Sequence, residues 1–198
     1  MSDLVDSLIG NGREERHVEF KRTMNWSDVG TKSKVVKSSI AMANLRDGGF
    51  IVFGIERQPD DSYTAVGMKA EDYDSFKQDE ISMEVNNYAD PFVEVTVQKV
   101  KRDAKLFVII EIREFLDLPI LCKRDGAERL RNGAIYVRPR RKIETAELPS
   151  QGDLREILDL AVEKKIRSFY SQIERVGARL AVPEDRDSKA FSEQLGGL

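Results

Sequence analysis

The segment from Ile40 to Glu56 constrains the fold more than any other stretch of this sequence. It contains an alanine-rich helical pattern, a Gly48-Gly49 pair and an apolar strand pattern interrupted by Gly54. Two adjacent glycines allow the positive φ angles with which many helices end. A glycine inside a strand indicates a bulge or a close approach of neighbouring backbone. The sequence therefore predicts a buried helix that turns directly into a central strand.

A shorter segment, which begins at Glu14, precedes this helix. Val18 and Phe20 alternate with Glu19 and Lys21, which predicts a strand with one apolar face and one charged face. Glu14 and Glu19 are five residues apart, so their side chains converge only if the chain turns between them. Their spacing alone does not define a site.

The remaining apolar patterns predict an α+β domain, with a mixed sheet flanked by helices and followed by a C-terminal helix. Helices are predicted over residues 3–9, 32–46 and 71–88, and from 154 into the 170s. Strands are predicted over residues 50–56, 63–67, 92–101, 105–113, 120–123 and 134–138, with a hairpin over 92–113. We divide the chain into a domain over 1–150, a helical extension over 151–182 and a loose tail over 183–198.

The two motifs together resemble the Schlafen AlbA_2 family. That family combines an acid and Glu-Phe-Lys with an Ala-x-Ala-Asn helix, a Gly-Gly pair and a strand that ends in Gly-Ile/Val-acid. The matching residues are Glu14, Glu19, Phe20, Lys21, Ala41, Ala43, Asn44, Gly48, Gly49, Gly54, Ile55 and Glu56. Residues 133–138 resemble the closing Tyr-x-Arg strand of the family. The resemblance covers about residues 13–150 and implies a single AlbA_2-like domain.

The resemblance also implies a possible chemistry. In some Schlafen proteins three acids form a metal-dependent endoribonuclease site that acts on tRNA and rRNA. The corresponding residues here are Glu14, Glu19 and Glu56 as ligands of Mg²⁺ or Mn²⁺, with Lys21 beside them. Carboxylate oxygens suit these hard cations, and a lysine balances charge that develops on phosphate. Arg57 follows Glu56 where many members carry a second acid.

A run of basic residues near the end of the domain predicts nucleic-acid binding. No acid interrupts the run, whose members are Arg129, Arg131, Arg138, Arg140, Arg141 and Lys142. Tyr136 alternates with Arg138, so this strand is predicted to stack a base beside a phosphate contact. The alternative is that these arginines pair with Glu144, Glu147 or Asp153. A second basic cluster, Lys32, Lys34 and Lys37, is either a solvated helix face or a phosphate contact.

Three functions follow as hypotheses, and the net charge of −3 favours none of them. The first is a nucleic-acid-binding module that holds RNA or DNA by its backbone without cleaving it. The second is a Mg²⁺- or Mn²⁺-dependent endoribonuclease acting on tRNA or other structured RNA. The third is an ATP-binding regulatory domain, as the resemblance implies. The sequence near Gly30 fails the phosphate-loop pattern, because Asn25 stands at its first position and Thr31 separates Gly30 from Lys32.

The sequence contains one histidine and one cysteine, which limits the metal sites that it can form. His17 has no second histidine beside it, so we predict no zinc site and interpret it as a surface residue or an acid–base group. Cys122 is expected to pack as a small apolar side chain.

No membrane-spanning run or secretory leader is visible, so a cytoplasmic location is expected. Schlafen cores pair two AlbA_2 lobes, and we therefore predict a homodimer whose two basic strands face a shared groove.

Overall fold

The computed structural model describes residues 7, 8, 10, 14–141 and 143–175, and the chain divides into two compact units, Met1–Val162 and Glu163–Leu198. The strands are β1 (Val18–Lys21), β2 (Gly49–Phe53), β3 (Ile55–Arg57), β4 (Tyr63–Ala65), β5 (Ala89–Asp90), β6 (Val95–Arg102), β7 (Lys105–Ile112), β8 (Leu121–Cys122), β9 (Tyr136–Val137) and β10 (Ala146–Glu147). The helices are α1 (Val29–Ala43), α2 (Ala70–Ser75), α3 (Gln78–Tyr88) and α4 (Gln151–Arg175).

A four-stranded mixed sheet forms the centre of the first unit, in the order β1-β2-β7-β6. The strands β1 and β2 are parallel, whereas β7 is antiparallel to both β2 and β6. Three two-stranded ladders surround this sheet: β3 with β4, β5 with β8, and β9 with β10. The predicted fold class, an α+β domain with a mixed sheet and a C-terminal helix, is confirmed.

The central sheet is buried on both faces. Ile51 and Phe53 of β2 pack in the larger core with the apolar residues of α1, whereas Val52 packs on the opposite face. Val18 and Phe20 share that opposite face, which directs Glu19 and Lys21 toward the α1 side. The alternation read from the sequence of β1 therefore places two charged side chains beside a buried helix.

Two motif glycines are required by their surroundings. Gly48 has a φ of +70°, and a Cβ atom there would lie 2.0 Å from the backbone oxygen of Ile112. Gly54 has a φ of +101°, and its Cβ atom would lie 2.7 Å from the Phe107 ring. Replacing either glycine with another residue would strain the backbone and would also produce a steric clash. The expected close approach at Gly54 is present, and it divides the predicted strand 50–56 into β2 and β3.

Other elements differ from the predictions in length. The predicted helix 71–88 is two helices, because Phe76 ends α2 and inserts its ring between Trp26 and Phe53 at centroid distances of 5.7 and 4.7 Å. The predicted strand 134–138 shortens to β9, and its partner β10 was not predicted. The first compact unit extends beyond residue 150, since Ile157 and Leu160 of α4 are buried in the core.

Parts of three predictions lie outside the described residues. Of the predicted helix 3–9, only Ser7 and Leu8 are described, and both are helical, as is Gly10. The helical extension is described to Arg175, whereas residues 176–182 and the tail 183–198 are not. Within the described residues, no helix combines the length and the apolar character needed to cross a bilayer.

The motif residue Asn44 holds three parts of the domain together. It is the C-cap of α1, and its buried amide donates to the backbone oxygens of Ile120 and Tyr136 at 2.8 and 3.0 Å. Its Oδ1 atom accepts from the Ile120 amide at 2.8 Å. One side chain thus satisfies three backbone groups, two at Ile120 and one at Tyr136.

We expect Asn44→Ala to lower the free energy of unfolding by about 2 kcal/mol, because it leaves buried backbone groups without partners. Urea unfolding followed by the fluorescence of Trp26, the single and buried tryptophan, measures the loss. Asn87→Ala, the same substitution at a partly buried position of α3, is the control and should change stability far less. Equal effects of the two variants would contradict this role for Asn44.

Candidate functional site

Side chains from β1, α1 and the loops around β9 enclose a cavity of about 450 Å³, which we call the acid cavity. Its lining brings together four acids and four bases: Glu14, Glu19, Glu128, Glu144, Lys21, Lys34, Lys37 and Arg138. Three of the four predicted catalytic residues, Glu14, Glu19 and Lys21, therefore line one cavity.

A tight turn brings Glu14 toward Glu19. The Val18 amide donates to the Glu15 backbone oxygen at 3.0 Å, so the chain reverses between the two acids. Glu14 then accepts from the Phe20 amide at 2.8 Å and from the Tyr63 hydroxyl at 3.0 Å. Both partners of Glu14 are neutral donors, and they fix its carboxylate at the start of β1.

Glu19 is held by cations instead. Its Oε1 atom lies 2.5 Å from Lys21 Nζ, and its Oε2 atom accepts from Arg138 Nη1 at 2.7 Å. Burial raises the pKa of Glu19, but the charges of Lys21 and Arg138 together outweigh burial and leave the pKa below its ordinary value. The carboxylate is therefore ionised at neutral pH and already neutralised by the protein.

The third predicted acid is not part of this arrangement. Glu56 lies on β3, does not line the acid cavity, and pairs with Arg22 at 3.2 Å. Both Glu19 oxygens are occupied by cations, and among the described side chains no three His, Cys, Asp or Glu residues are placed to hold a metal ion. Glu14, Glu19 and Glu56 therefore do not fit a three-carboxylate metal site. A requirement for Mg²⁺ or Mn²⁺ stays a prediction.

The lowered pKa of Glu19 gives the stability of the fold a defined pH dependence. A carboxyl whose folded-state pKa lies below its unfolded value stabilises the fold above the unfolded value, about 4.3, and loses this contribution as the pH falls through the folded-state pKa. We expect Glu19→Gln to cost about 2 kcal/mol at pH 7, and the gap from the native chain to narrow below pH 4. Urea unfolding from pH 7 to 3 measures this gap, and a constant gap would contradict the ion pair.

The two residues at the centre of the predicted nucleic-acid strand are buried, and their contact with nucleic acid stays a prediction. Arg138 is 1% exposed, and its guanidinium also donates to the backbone oxygen of Arg16 at 2.6 Å. Tyr136 is also 1% exposed, and its hydroxyl donates to the Arg129 backbone oxygen at 2.8 Å. The hydrogen bonds of both side chains are made within the domain, to backbone oxygens and to Glu19. Both side chains stabilise the domain.

The exposed arginines of the predicted patch separate into two groups. Arg129 and Arg131 lie in the loop before β9, where Arg131 pairs with Glu147 at 3.0 Å, as the alternative interpretation expected. Arg140 and Arg141 follow Arg138 and line a second cavity of about 1000 Å³. Lys142 lies outside the described residues.

This second cavity, which we call the arginine groove, is lined by arginines from three parts of the first unit. Its basic residues are Arg46, Arg140, Arg141 and Arg155, and its acids are Asp153, Glu156 and Asp159. Arg46 follows α1, and Arg155 lies in the first turns of α4. Neither arginine was predicted from the sequence, since only folding brings them beside residues 140–141.

Two of the acids in the arginine groove are bonded to other residues of the domain. Asp153 accepts from the Ser150 hydroxyl at the start of α4. Arg16 donates to both oxygens of Glu156, at 2.7 and 3.0 Å, and these bonds lower the pKa of Glu156. Arg140 also reaches Glu156, at 3.3 Å. Arg16 in addition donates through Nε to the Arg138 backbone oxygen, so it connects the groove to the acid-cavity wall.

The remaining candidate residues have ordinary surroundings. His17 is exposed, with its Nε2 atom 3.5 Å from Glu15. Cys122 is fully buried, as expected, and burial raises the pKa of its thiol. Of the lysines on α1, Lys34 lies 3.8 Å from Glu128, and Lys37 lies 5.0 Å from the centre of the Tyr136 ring. Lys34 and Lys37 thus contact the loop that closes the acid cavity.

The fold is an α+β domain in which the first motif segment, from Glu14 to Lys21, supplies one wall of the acid cavity. Residues 14–147 match the sequence profile described as Schlafen, AlbA_2, which is more than half of the 198 residues. The chain therefore belongs to the Schlafen AlbA_2 family. Among curated proteins, none matches this chain.

Two solved structures are similar to parts of the chain. The DIP2311 protein from Corynebacterium diphtheriae is 15% identical with a TM-score of 0.47, and the alignment covers 74% of this chain and 26% of that protein. The N-terminal domain of a RecG-related protein from Nitrosomonas europaea is 24% identical with a TM-score of 0.42, covering 66% of this chain and 87% of that domain. The present chain thus spans about a quarter of the first structure.

Proposed function

We propose that this domain binds nucleic acid through the arginine groove and does not cleave it. Membership of the Schlafen AlbA_2 family supports a nucleic-acid-associated domain. The observation that carries the proposal is the meeting of Arg46, Arg140, Arg141 and Arg155 around one groove. A guanidinium group matches phosphate oxygens in both charge and geometry, which makes arginine suited to this contact.

The charge distribution supports a phosphate ligand at this groove. Arg16 pairs with Glu156 and offsets its negative charge, so the acids of the groove oppose its arginines less than their number implies. Binding of this kind follows the backbone of the nucleic acid and depends little on base sequence. RNA and DNA both carry the required phosphates, and the experiments therefore include both.

The alternative is a metal-dependent endoribonuclease acting on tRNA or other structured RNA. One observation favours it: Glu14, Glu19 and Lys21 line a common cavity, as a catalytic role requires. Against it stand the pairing of Glu56 with Arg22 and the occupation of both Glu19 oxygens by cations. Phosphoryl transfer assisted by Mg²⁺ needs carboxylates that remain available to the ion.

A cleavage assay distinguishes binding from catalysis. Purified full-length protein is incubated with total tRNA and with plasmid DNA, in EDTA and in Mn²⁺, beside a Glu14→Gln variant. We expect a mobility shift in EDTA and intact nucleic acid in Mn²⁺. Cleavage that requires Mn²⁺ and is lost in Glu14→Gln would replace this proposal with the nuclease.

Assembly as a homodimer is part of the same proposal. A single groove offers one small basic surface, whereas two copies would offer two such surfaces to one nucleic acid. When both surfaces bind at once, the second contact forms within the complex and the apparent affinity rises. Closed two-fold dimers are the commonest symmetric assemblies of soluble proteins, which makes a pair the simplest expectation.

A further inference from the structure

Helix α4 carries a row of apolar side chains along its second half. Ile166, Phe169 and Tyr170 are each at least half exposed, and Ile173 is partly exposed. These residues belong to the second compact unit. Soluble proteins rarely expose a continuous row of large apolar side chains unless a partner covers it.

The spacing of this row is that of a coiled coil. In the sequence, apolar residues recur at alternating intervals of four and three: Val162, Ile166, Phe169, Ile173, Val176 and Leu180. This average interval of 3.5 residues keeps a narrow apolar seam facing one neighbouring helix, whereas a helix on a globular core shows a wider face. The pattern therefore indicates a helix as the partner.

A second copy of the same chain fits this seam best. Residues 183–198 contain six charged residues and only three large apolar ones, Phe191, Leu195 and Leu198, fewer than the six of the row from Val162 to Leu180. Between Gln151 and Arg175 there are five acidic and five basic residues, so two copies of the helix do not repel each other. In the heptad register, Ile166 and Ile173 occupy a positions, where β-branched residues favour two strands in a parallel coiled coil.

We propose that residues 162–175 pair with the same residues of a second chain as a parallel two-stranded coiled coil. This inference rests on the homodimer in the proposed function and names the surface that forms it. It does not depend on the arginine groove, because the seam and the groove are built from different residues.

Light scattering of the full chain at micromolar concentration tests the pairing. We expect twice the chain mass of 22.5 kDa for the native protein. Ile166→Glu combined with Phe169→Glu should give a single chain mass, because it places charges in the seam. Ser168→Glu adds the same charge on the same helix outside the seam and should keep the double mass. A native mass of one chain, or a double variant that keeps the double mass, would overturn the proposal.

Cross-linking tests the parallel arrangement. Phe169→Cys occupies a d position, where the two side chains of a parallel pair lie opposite each other and within reach of a disulfide. Mild oxidation should then give a covalent dimer, whereas Ser168→Cys should not. A double mass without cross-linking at position 169 would overturn the parallel arrangement.

The proposed coiled coil and the proposed nucleic-acid site can be disproved separately. The seam variant should still bind nucleic acid, with an affinity about tenfold or more lower if two grooves act together. A variant of the groove arginines should lose binding and keep the double mass. Loss of the dimer therefore leaves the proposed site intact, and loss of binding leaves the coiled coil intact.

Discussion

Replacing Arg138 with alanine is expected to lower the free energy of unfolding by about 3–5 kcal/mol. The guanidinium neutralises the buried Glu19 carboxylate and donates to backbone oxygens in the turn before β1. Alanine fills none of these roles, so a charged carboxylate and several carbonyl groups lose their partners. The Arg138 backbone oxygen, which accepts from Arg16, would also lose its fixed position.

Two further variants separate burial from charge. Arg140→Ala removes the same side chain two residues away, where it is exposed, and should change stability by less than about 1 kcal/mol. Adding Glu19→Gln to Arg138→Ala should cost less than the sum of the single effects, because the two residues share one interaction. Urea unfolding monitored by Trp26 fluorescence gives the change in the free energy of unfolding for Arg138→Ala, Arg140→Ala, Glu19→Gln and the double variant. A loss at Arg138 no larger than at Arg140 would contradict the buried ion pair.

Charge reversal in the arginine groove should weaken nucleic-acid binding by about a hundredfold. Arg140→Glu combined with Arg141→Glu removes two phosphate contacts of about 1.4 kcal/mol each, and each such loss is a factor of ten in affinity. The introduced acids also repel the nucleic-acid backbone, which adds to the loss. Fluorescence anisotropy with labelled tRNA and with duplex DNA measures it.

A matched variant shows whether this effect is local. Arg129→Glu combined with Arg131→Glu makes the same change in net charge outside the groove, where Arg131 already pairs with Glu147. The participation of Arg129 and Arg131 in binding stays a prediction, and we expect a smaller loss for this pair. Equal losses would assign binding to the overall charge rather than to the groove.

The fold was largely predictable because its main signals are local. The alternation in β1, the glycine-rich turn after α1 and the β6–β7 hairpin each depend on neighbours in the sequence. The break between α2 and α3 was not predictable, because Phe76 leaves the helical path to contact Trp26 and Phe53. The pairing of β9 with β10 depends equally on distant contacts.

The site was less predictable, since charged residues look alike in a sequence whether they are buried or exposed. Arg138 and Arg140 are two residues apart, yet one is enclosed by backbone oxygens and the other lines the groove. The turn that brings Glu14 to Glu19 depends on the Glu15–Val18 bridge, which has no sequence signature. Arg46 and Arg155 are far apart in the sequence and join the groove only when the chain folds.

The salt dependence of nucleic-acid affinity tests the central claim most directly. Each phosphate neutralised by an arginine releases counterions, so the logarithm of the affinity falls with the logarithm of the salt concentration by about 0.9 per contact on duplex DNA. We predict a steep slope for the native chain and a slope smaller by about 1.8 for the Arg140→Glu/Arg141→Glu variant. A salt-independent affinity, or an identical slope in the two proteins, would contradict phosphate binding at the arginine groove.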